Sequence, residues 1–446
     1  MADALASVIV LGWGGEPYIE ACLRALQVQT YASQEVIVVD NASPDRTSDI
    51  VERDFPDVKL IRTASNLGVA GGNNVGLRAA KGKIRVLINS DVQVSPDWLE
   101  RLVQAMESDP TIGVAGAKLL YPNGTIQFAG GCIEGPRGHT CHTGWHEPDS
   151  GQWDVFGDVD FVTGASLAIT RRALERIGYE DERFFPIDYE DADISYRARS
   201  AGFRVVLVPN AVAVHHESST TGFADLTRQV PLEAGRVRFA CKHWSADRLR
   251  EGFFPAERDF LRKCTALERQ VLRWAYLKAL GETEDLAGWR ERLGVGSKTE
   301  SLDVLSEVLT QLRRACVPGM ATHIPDRRTQ IVDAWFAQDR GATATDGRAL
   351  FLSLCAVDAF VESHQPIGWP DWPPGILAKA VAVLQKVTRR LLRWYVDPIV
   401  EQQNALNASF LYALETLAQE VMRLQSQQTP YDASAGSDSS GPKKDE

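Results

Sequence analysis

The stretch Leu87-Ile88-Asn89-Ser90-Asp91-Val92 ends an apolar run in a single carboxylate, Asp91. A carboxylate at a strand tip is a hard oxygen donor of the kind that binds Mg2+ or Mn2+. One such group cannot hold a divalent ion, so further ligands must come from elsewhere in the chain. A second apolar run, Glu35 to Asp40, also ends in an acid. Farther on, Asp188, Glu190 and Asp191 stand at the start of a helical pattern, where acids complement the helix dipole by about 0.3–1 kcal/mol each. Asp193 and Arg197, four residues apart, read as a structural ion pair. Cys132, His139, Cys141, His142 and His146 are of types that suit zinc, but lack the paired C-x-x-C spacing of a structural site. Zinc is therefore the weaker reading of this stretch, and a polar loop the better one.

The elements that must position these groups fall into two regimes. Short β-branched runs at Ser7–Leu11, Glu35–Asp40, Lys59–Ile61 and Ile84–Asn89 alternate with amphipathic segments. One carries Ile19, Cys22, Leu23 and Leu26 after Pro17, and another carries Trp98, Leu99, Leu102, Val103 and Met106 after a cap at Ser95. A helix capped by Asp188 and ended by Gly202 precedes the strand Val205–Val208. This alternation predicts an α/β domain with a largely parallel sheet, which binds ligands outside the carboxyl ends of its strands. Asp40 and Asp91 both stand at that edge. After about residue 250 the periodicity is helical, through Leu302, Leu305, Leu309 and Leu312 to segments near 376–395 and 401–427. The last of these carries a short heptad seam from Phe410 to Leu424. The expected organisation is an α/β domain over 1–250, an all-α region over 251–428 and a disordered tail over 429–446.

Composition narrows the function. The 446 residues are 44% hydrophobic and 24% charged, with net charge −11. That balance is ordinary for a globular protein and argues against nucleic acid as the partner. Seven irregularly placed cysteines, no secretory signal and no bilayer-length apolar run lead us to expect a reduced, cytoplasmic protein.

Five segments occur in a telling order: DNASPDRTSDI, NLGVAGGNNVGLRAAKG, LINSDVQVSPDWL, VTGAS and YEDADISYRARSAGFRV. Over roughly residues 5–220 the chain resembles family 2 glycosyltransferases, in particular the rhamnosyltransferase-like branch that builds bacterial cell-surface polysaccharides. The resemblance implies a GT-A fold, a nucleoside-diphosphate sugar donor (dTDP or UDP), inversion at the anomeric carbon, and Mg2+ or Mn2+ as cofactor. On these motifs Asp40, with Asn41, matches the acid that pairs with the donor's base. Asn66, Gly68 and Gly72 match the turn lining the nucleotide. Asn89 and Asp91 match the D-x-D motif with its first acid replaced, Asp91 being the metal contact. His215, with His216 adjacent as the alternative, matches the histidine that completes the metal site. Gly164 and Ala165 match a small-residue turn near the acceptor. Asp191 matches the general base, with Glu190 beside it to tune its proton affinity.

Two departures stand out. Trp13-Gly14-Gly15 supplies no polar residue after the first strand, and the Q-x-x-R-W signature of processive synthases is absent, so transfer of one or a few sugars is expected. The acceptor would be a saccharide or a lipid-linked saccharide. A non-catalytic sugar-nucleotide-binding scaffold is the competing reading. The helical half is compatible with peripheral contact at the inner face of the cell membrane and with homo-oligomerisation.

Overall fold

Unbroken runs of Val, Ile and Leu are stable as strands only where both faces are covered, and the central sheet is made of them. The computed structural model describes residues 4–216 and 226–316. These fall in one compact unit, Met1–Thr345, and a second unit, Asp346–Glu446, lies outside the described residues. The sheet opens with β1 (Ala6–Gly12), buried along its whole length, then α1 (Ile19–Gln27), β2 (Gln34–Asp40) and α2 (Thr47–Asp54). It continues through β3 (Lys59–Arg62), α3 (Gly68–Ala79), β4 (Ile84–Asn89), β5 (Val92–Val94), α4 (Trp98–Ser108) and β6 (Ile112–Leu120). An excursion follows, with β7 (Ile126–Phe128), the hairpin β8 (Gly131–Glu134) and β9 (His139–His142), and β10 (Gly157–Asp158). The chain returns through β11 (Ser166–Thr170), α5 (Arg171–Ile177), α6 (Glu190–Ser200) and β12 (Arg204–His215).

Strand order is β10-β12-β6-β11-β4-β1-β2-β3. The strands β1 to β4, β6 and β12 share one direction, as expected, but β11 is antiparallel to both β4 and β6. The reversal has a consequence for the site, because it brings the start of β11 to the carboxyl end of β4. Two expected caps are absent. The α4 helix begins at Trp98 without a side-chain cap: Ser95 accepts Trp98 N–H on its carbonyl and gives its hydroxyl to the Asp97 carboxylate. The α6 helix is entered through two left-handed residues, Asp188 (φ 81°) and Tyr189 (φ 72°), and Asp188 does not cap it.

Helices then take over: α7 (Leu226–His243), a π-turn at Arg248–Phe253 leading into α8 (Phe254–Leu261), α9 (Ala266–Gly281), α10 (Thr283–Arg292) and α11 (Lys298–Ala315). Thr265 and Glu268 form a reciprocal capping box at the start of α9. These helices bury a second core around Trp244, Leu249, Phe253, Leu305 and Leu309. The α7 helix serves both cores, giving Phe239 to the sheet's and Val237 and Ala240 to its own. The expected helices at 376–395 and 401–427, the Phe410–Leu424 seam and the tail lie outside the described residues. Among those described, no helix is long and apolar enough to cross a membrane.

The expected Asp193–Arg197 pair is present at 2.8 Å and fully buried, but it is part of a larger cluster. Lys242 and His243, at the end of α7, reach Asp193 at 2.7 and 2.8 Å. Burial alone would raise the Asp193 pKa, but Lys242, Arg197 and His243 outweigh it and hold the carboxyl well below its usual range. The stability this contributes is present above the unfolded-state pKa and is lost as pH falls through the folded one. Asp193→Asn should therefore cost about 3–5 kcal/mol at neutral pH by taking the carboxylate away from buried Arg197. In urea unfolding, its deficit against wild type should shrink below about pH 4.

Candidate active site

The parallel register lines up the strand ends. Gly12 lies opposite Asp40, and Leu11 lies opposite Asn89, so Asp40, Asn89 and Asp91 share the carboxyl edge of the sheet. Asp40 is buried and accepts the Ser43 N–H at 3.0 Å. The β1–α1 loop is tied down beside it, with Gly14 N–H on Ser43 Oγ and Glu16 N–H on Asp45. A Cβ at Gly15 would lie 2.8 Å from Ser90 Oγ, so only glycine lets this loop cross the Asn89-Ser90-Asp91 turn.

Asn41 works inside the protein. Its amide donates to Asn66 Oδ1 and Gly68 O and accepts from Leu67 N–H, pinning the 66–68 turn onto β2. Gly68 is left-handed (φ +72°) and faces the Phe185 ring, while a Cβ on Gly72 would lie 2.4 Å from Leu11 Cδ1. At Gly72 the missing side chain therefore admits close packing of α3 on β1.

Asp91 Oδ1 lies 3.2 Å from His215 Nε2. The adjacent His216 instead gives its backbone N–H to the Asp91 carbonyl and sets its ring 5.1 Å from Tyr18, so the geometry selects His215 as the partner. The other nitrogen of His215, Nδ1, lies 2.9 Å from Oε1 of buried Gln127 on β7. When Nδ1 donates to that oxygen, the Nε2 lone pair faces the Asp91 carboxylate. Two electron-rich atoms at that distance are stable only with a cation, proton or metal, between them. A buried amide fixing the distal nitrogen is also how ligating histidines are oriented. This donor set, one carboxylate oxygen and one imidazole, fits a divalent ion that takes its remaining ligands from a bound diphosphate and water. Burial works against the Asp91 charge, but His215 more than offsets it and lowers its pKa.

The second acidic group docks at the same edge. Ser166 pairs with Ile88, which places the preceding Gly164 at the carboxyl end of β4, and Gly164 N–H donates to Asp191 Oδ2 at 3.0 Å. Ala165 is buried beneath this turn. Burial raises the Asp191 pKa, tempered by the N–H groups of Gly164 and Ala192 and by nearby His142. Glu190 is raised well above the usual range, by burial first and then by Asp191, Glu180 and Asp188. Glu180 is pushed up to about 8, chiefly by burial, although it accepts from Asn73. Glu180 Oε1 and Glu190 Oε2 are buried without a hydrogen-bond partner.

Three participants were not singled out from sequence as site residues: Gln127, Glu180 and the pairing role of His142. A Gln three residues before a Gly-Gly pair carries no local signal, and Glu180 sits in a connecting segment. His142 Nδ1 lies 3.3 Å from the Gln127 carbonyl, so one residue touches both histidines. The expectation of wholly reduced cysteines is corrected. Cys132 and Cys141 stand opposite each other across the β8–β9 hairpin and are joined by a disulfide. Their irregular sequence spacing hides a pairing created by the hairpin register. Of the cysteine- and histidine-rich stretch, only these two and Glu134 converge, among the described residues.

The glycosyl transferase family 2 model matches residues 7–175. Three relatives each match about half of the chain. An uncharacterized Sinorhizobium fredii protein, y4gI, is 31% identical over 48% of this chain and 24% of its own. The O-antigen biosynthesis protein RfbC of Myxococcus xanthus is 30% identical over 45% of this chain and 16% of its own. The N-acetylglucosaminyl-diphospho-decaprenol L-rhamnosyltransferase of Mycobacterium tuberculosis is 26% identical over 50% of this chain and 79% of its own. The chain thus spans less than a quarter of the first two relatives' length. Over residues 7–175 the chain is similar to glycosyl transferase family 2.

The Gln127 contact makes a prediction that does not depend on turnover. Gln127→Leu should free the His215 ring and weaken Mn2+ binding in the presence of UDP by about 10–100-fold. Titration followed by manganese paramagnetic resonance reads this directly. An unchanged affinity would show that Gln127 does not orient the ligand.

Proposed function

We propose that the chain is an inverting, metal-assisted glycosyltransferase that moves a sugar from a nucleoside-diphosphate donor to a saccharide or lipid-linked acceptor. The observation that carries this reading is the placement of two unlike acidic centres at one sheet edge, Asp91 with His215 and Asp191 on Gly164. Asp91 and His215 would hold Mg2+ or Mn2+, which supplies charge neutralisation for the departing diphosphate. Asp40 would accept from the ring N–H of uracil or thymine, as a buried carboxylate with an unused lone pair can. Asn66 and Gly68 shape the turn beside it, with Asn41 and Gly72 setting its position. Asn89 would contribute an uncharged amide. Asp191 would take the acceptor hydroxyl's proton as that oxygen attacks the anomeric carbon from the face opposite the diphosphate. Gly164 N–H holds Oδ2 and Ala192 N–H holds Oδ1, fixing the carboxylate plane, and the acceptor's proton would go to a remaining lone pair. Burial and the neighbouring acids raise the proton affinity of Glu190 well above the usual range, which disfavours a second charge beside Asp191.

The branch resemblance and the mycobacterial relative favour dTDP-rhamnose as donor, with UDP sugars next. The region over 251–428 would serve acceptor or partner contact rather than chemistry. Assembly of cell-surface polysaccharide at the inner membrane face is the setting this implies.

Asp191→Asn should abolish transfer while leaving donor binding, read by thermal shift with Mn2+, within about twofold. Appreciable turnover in the folded variant would remove Asp191 from the reaction. A second expectation concerns pH. Because Asp191 acts only when ionised and burial raises its pKa, the rate should fall on acidification at a pH above the ordinary carboxylate range, about 4. A pH–rate profile with saturating donor checks this. Donor bound tightly but never turned over, across a broad acceptor panel, would favour the scaffold reading.

A further inference from the structure

Most exposed large apolar side chains among the described residues are scattered, but residues 145–156 gather four of them. Trp145, Trp153, Val155 and Phe156 are 53%, 37%, 68% and 49% exposed. A contiguous exposed apolar patch marks an interaction surface where single residues do not. This one is also held rigid. Trp145 Nε1 donates to the Tyr121 hydroxyl at 2.9 Å, and Trp153 Nε1 donates to Glu147 at 2.8 Å. His146 stacks on Tyr121 at 4.9 Å with an interplanar angle of 7° and lies 4.5 Å from the Trp145 ring. Buried Lys118 on β6 ties the loop down through Asp149 and Asp154, at 2.9 and 2.6 Å. The indole N–H groups are thus engaged within the protein, while about half of Trp145 and a third of Trp153 stay open to solvent.

Its place in the fold connects it to the candidate site. Leu120 pairs with Val214, so Tyr121 stands in register with His215 at the carboxyl edge of the sheet. His146 N–H donates to the carbonyl of Ile126, the neighbour of Gln127. The aromatic surface therefore begins beside the Asp91–His215 pair.

The chemistry of the surface selects a ligand. Flat ring faces are flanked by the carboxylates of Glu147, Asp149 and Asp154, and residues 145–158 contain no Lys or Arg. A pyranose ring matches this, with an apolar C–H face to lie on an aromatic ring and a rim of hydroxyls to donate to carboxylates. An anionic lipid surface would be repelled by the same acids. We propose that Trp145, His146, Tyr121 and Trp153 form a saccharide-binding subsite that seats a sugar ring of the acceptor. Its role as acceptor subsite rests on the glycosyltransferase reading, but its binding of saccharide does not.

The test uses the full chain without donor. Methyl α-L-rhamnoside, methyl β-D-galactoside and N,N′-diacetylchitobiose are titrated, followed by tryptophan fluorescence and saturation-transfer NMR. At least one should bind saturably, Trp145→Ala should weaken it by about tenfold or more, and Trp145→Phe should restore most of the affinity. UDP binding with Mn2+ should be unchanged in both variants. No saturable binding by any probe, or equal binding by Trp145→Ala, would overturn the proposal. So would co-sedimentation with phosphatidylcholine vesicles that Trp145→Ala abolishes, which would assign the face to lipid. Failure of the wild type to bind any nucleotide sugar would count against the glycosyltransferase reading alone, since the saccharide titration is read separately.

Discussion

The candidate site depends on how a small number of buried cations is shared among a larger number of buried acids. Lys242 and His243 from α7 and Arg197 from α6 converge on Asp193, and Arg238 and Lys242 converge on Asp181. A buried carboxylate with such partners stays ionised, and one without them holds its proton. Glu180 and Glu190 are direct neighbours in sequence of acids that are paired or engaged, yet neither has a cation in contact, and both are raised by burial. The helical layer thus divides one acidic segment into a cation-paired, structural set and a set whose proton affinity burial raises. Asp191 lies at the boundary, held by two backbone N–H groups rather than by a cation. That is the environment a general base requires, because a carboxylate locked to Arg or Lys has too little proton affinity to act.

The same helices also hold the hairpin that carries His142. Glu257 on α8 receives Arg137 and Arg236, and Tyr189 gives its hydroxyl to the Gly138 carbonyl. Arg236 in turn donates to the Arg137 carbonyl. The β8–β9 turn is therefore clamped between α6 and α7, and its position fixes His142 against Gln127. Through Gln127, whose side chain meets His215 and whose carbonyl meets His142, the two acidic centres share a rigid intermediary. Mutations far into the helical layer would then reach the site through the hairpin rather than by direct contact.

Much of this was legible in the sequence, and the reason is local. Asp40, Asn89 and Asp91 terminate buried strands, where the switch from apolar run to acid survives in any reading of periodicity. Asp193 and Arg197 are one helical turn apart and could be paired on spacing alone. The reversal of β11 was not legible, because a single strand of five residues carries no mark of its direction. Nor were the left-handed entry to α6 and the 2.9 Å contact of Gln127 with His215, which join residues 88 positions apart. Such contacts are properties of register, and register is set only when all the strands are assembled. Gly72 shows the converse error: its smallness was legible, but whether a small residue admits a ligand or a neighbouring strand depends on what stands opposite.

The replacement of the first acid of the D-x-D motif by Asn89 has a physical consequence within the proposed reaction. With Asp91 and His215 as the protein's donors, most of a divalent ion's shell must come from diphosphate and water. A site with so few protein ligands and one formal charge binds the bare ion weakly and the ion–diphosphate pair much better. By linkage, metal raises donor affinity by the same factor that donor raises metal affinity. The two would load together and leave together, so loss of the sugar would loosen the nucleoside diphosphate only when the ion departs with it. In the proposed reaction Asn89 would thus trade strength of metal retention for ease of product release, in a site where Gln127 and the β1–α1 loop over Ser90 are already held by the protein's own contacts.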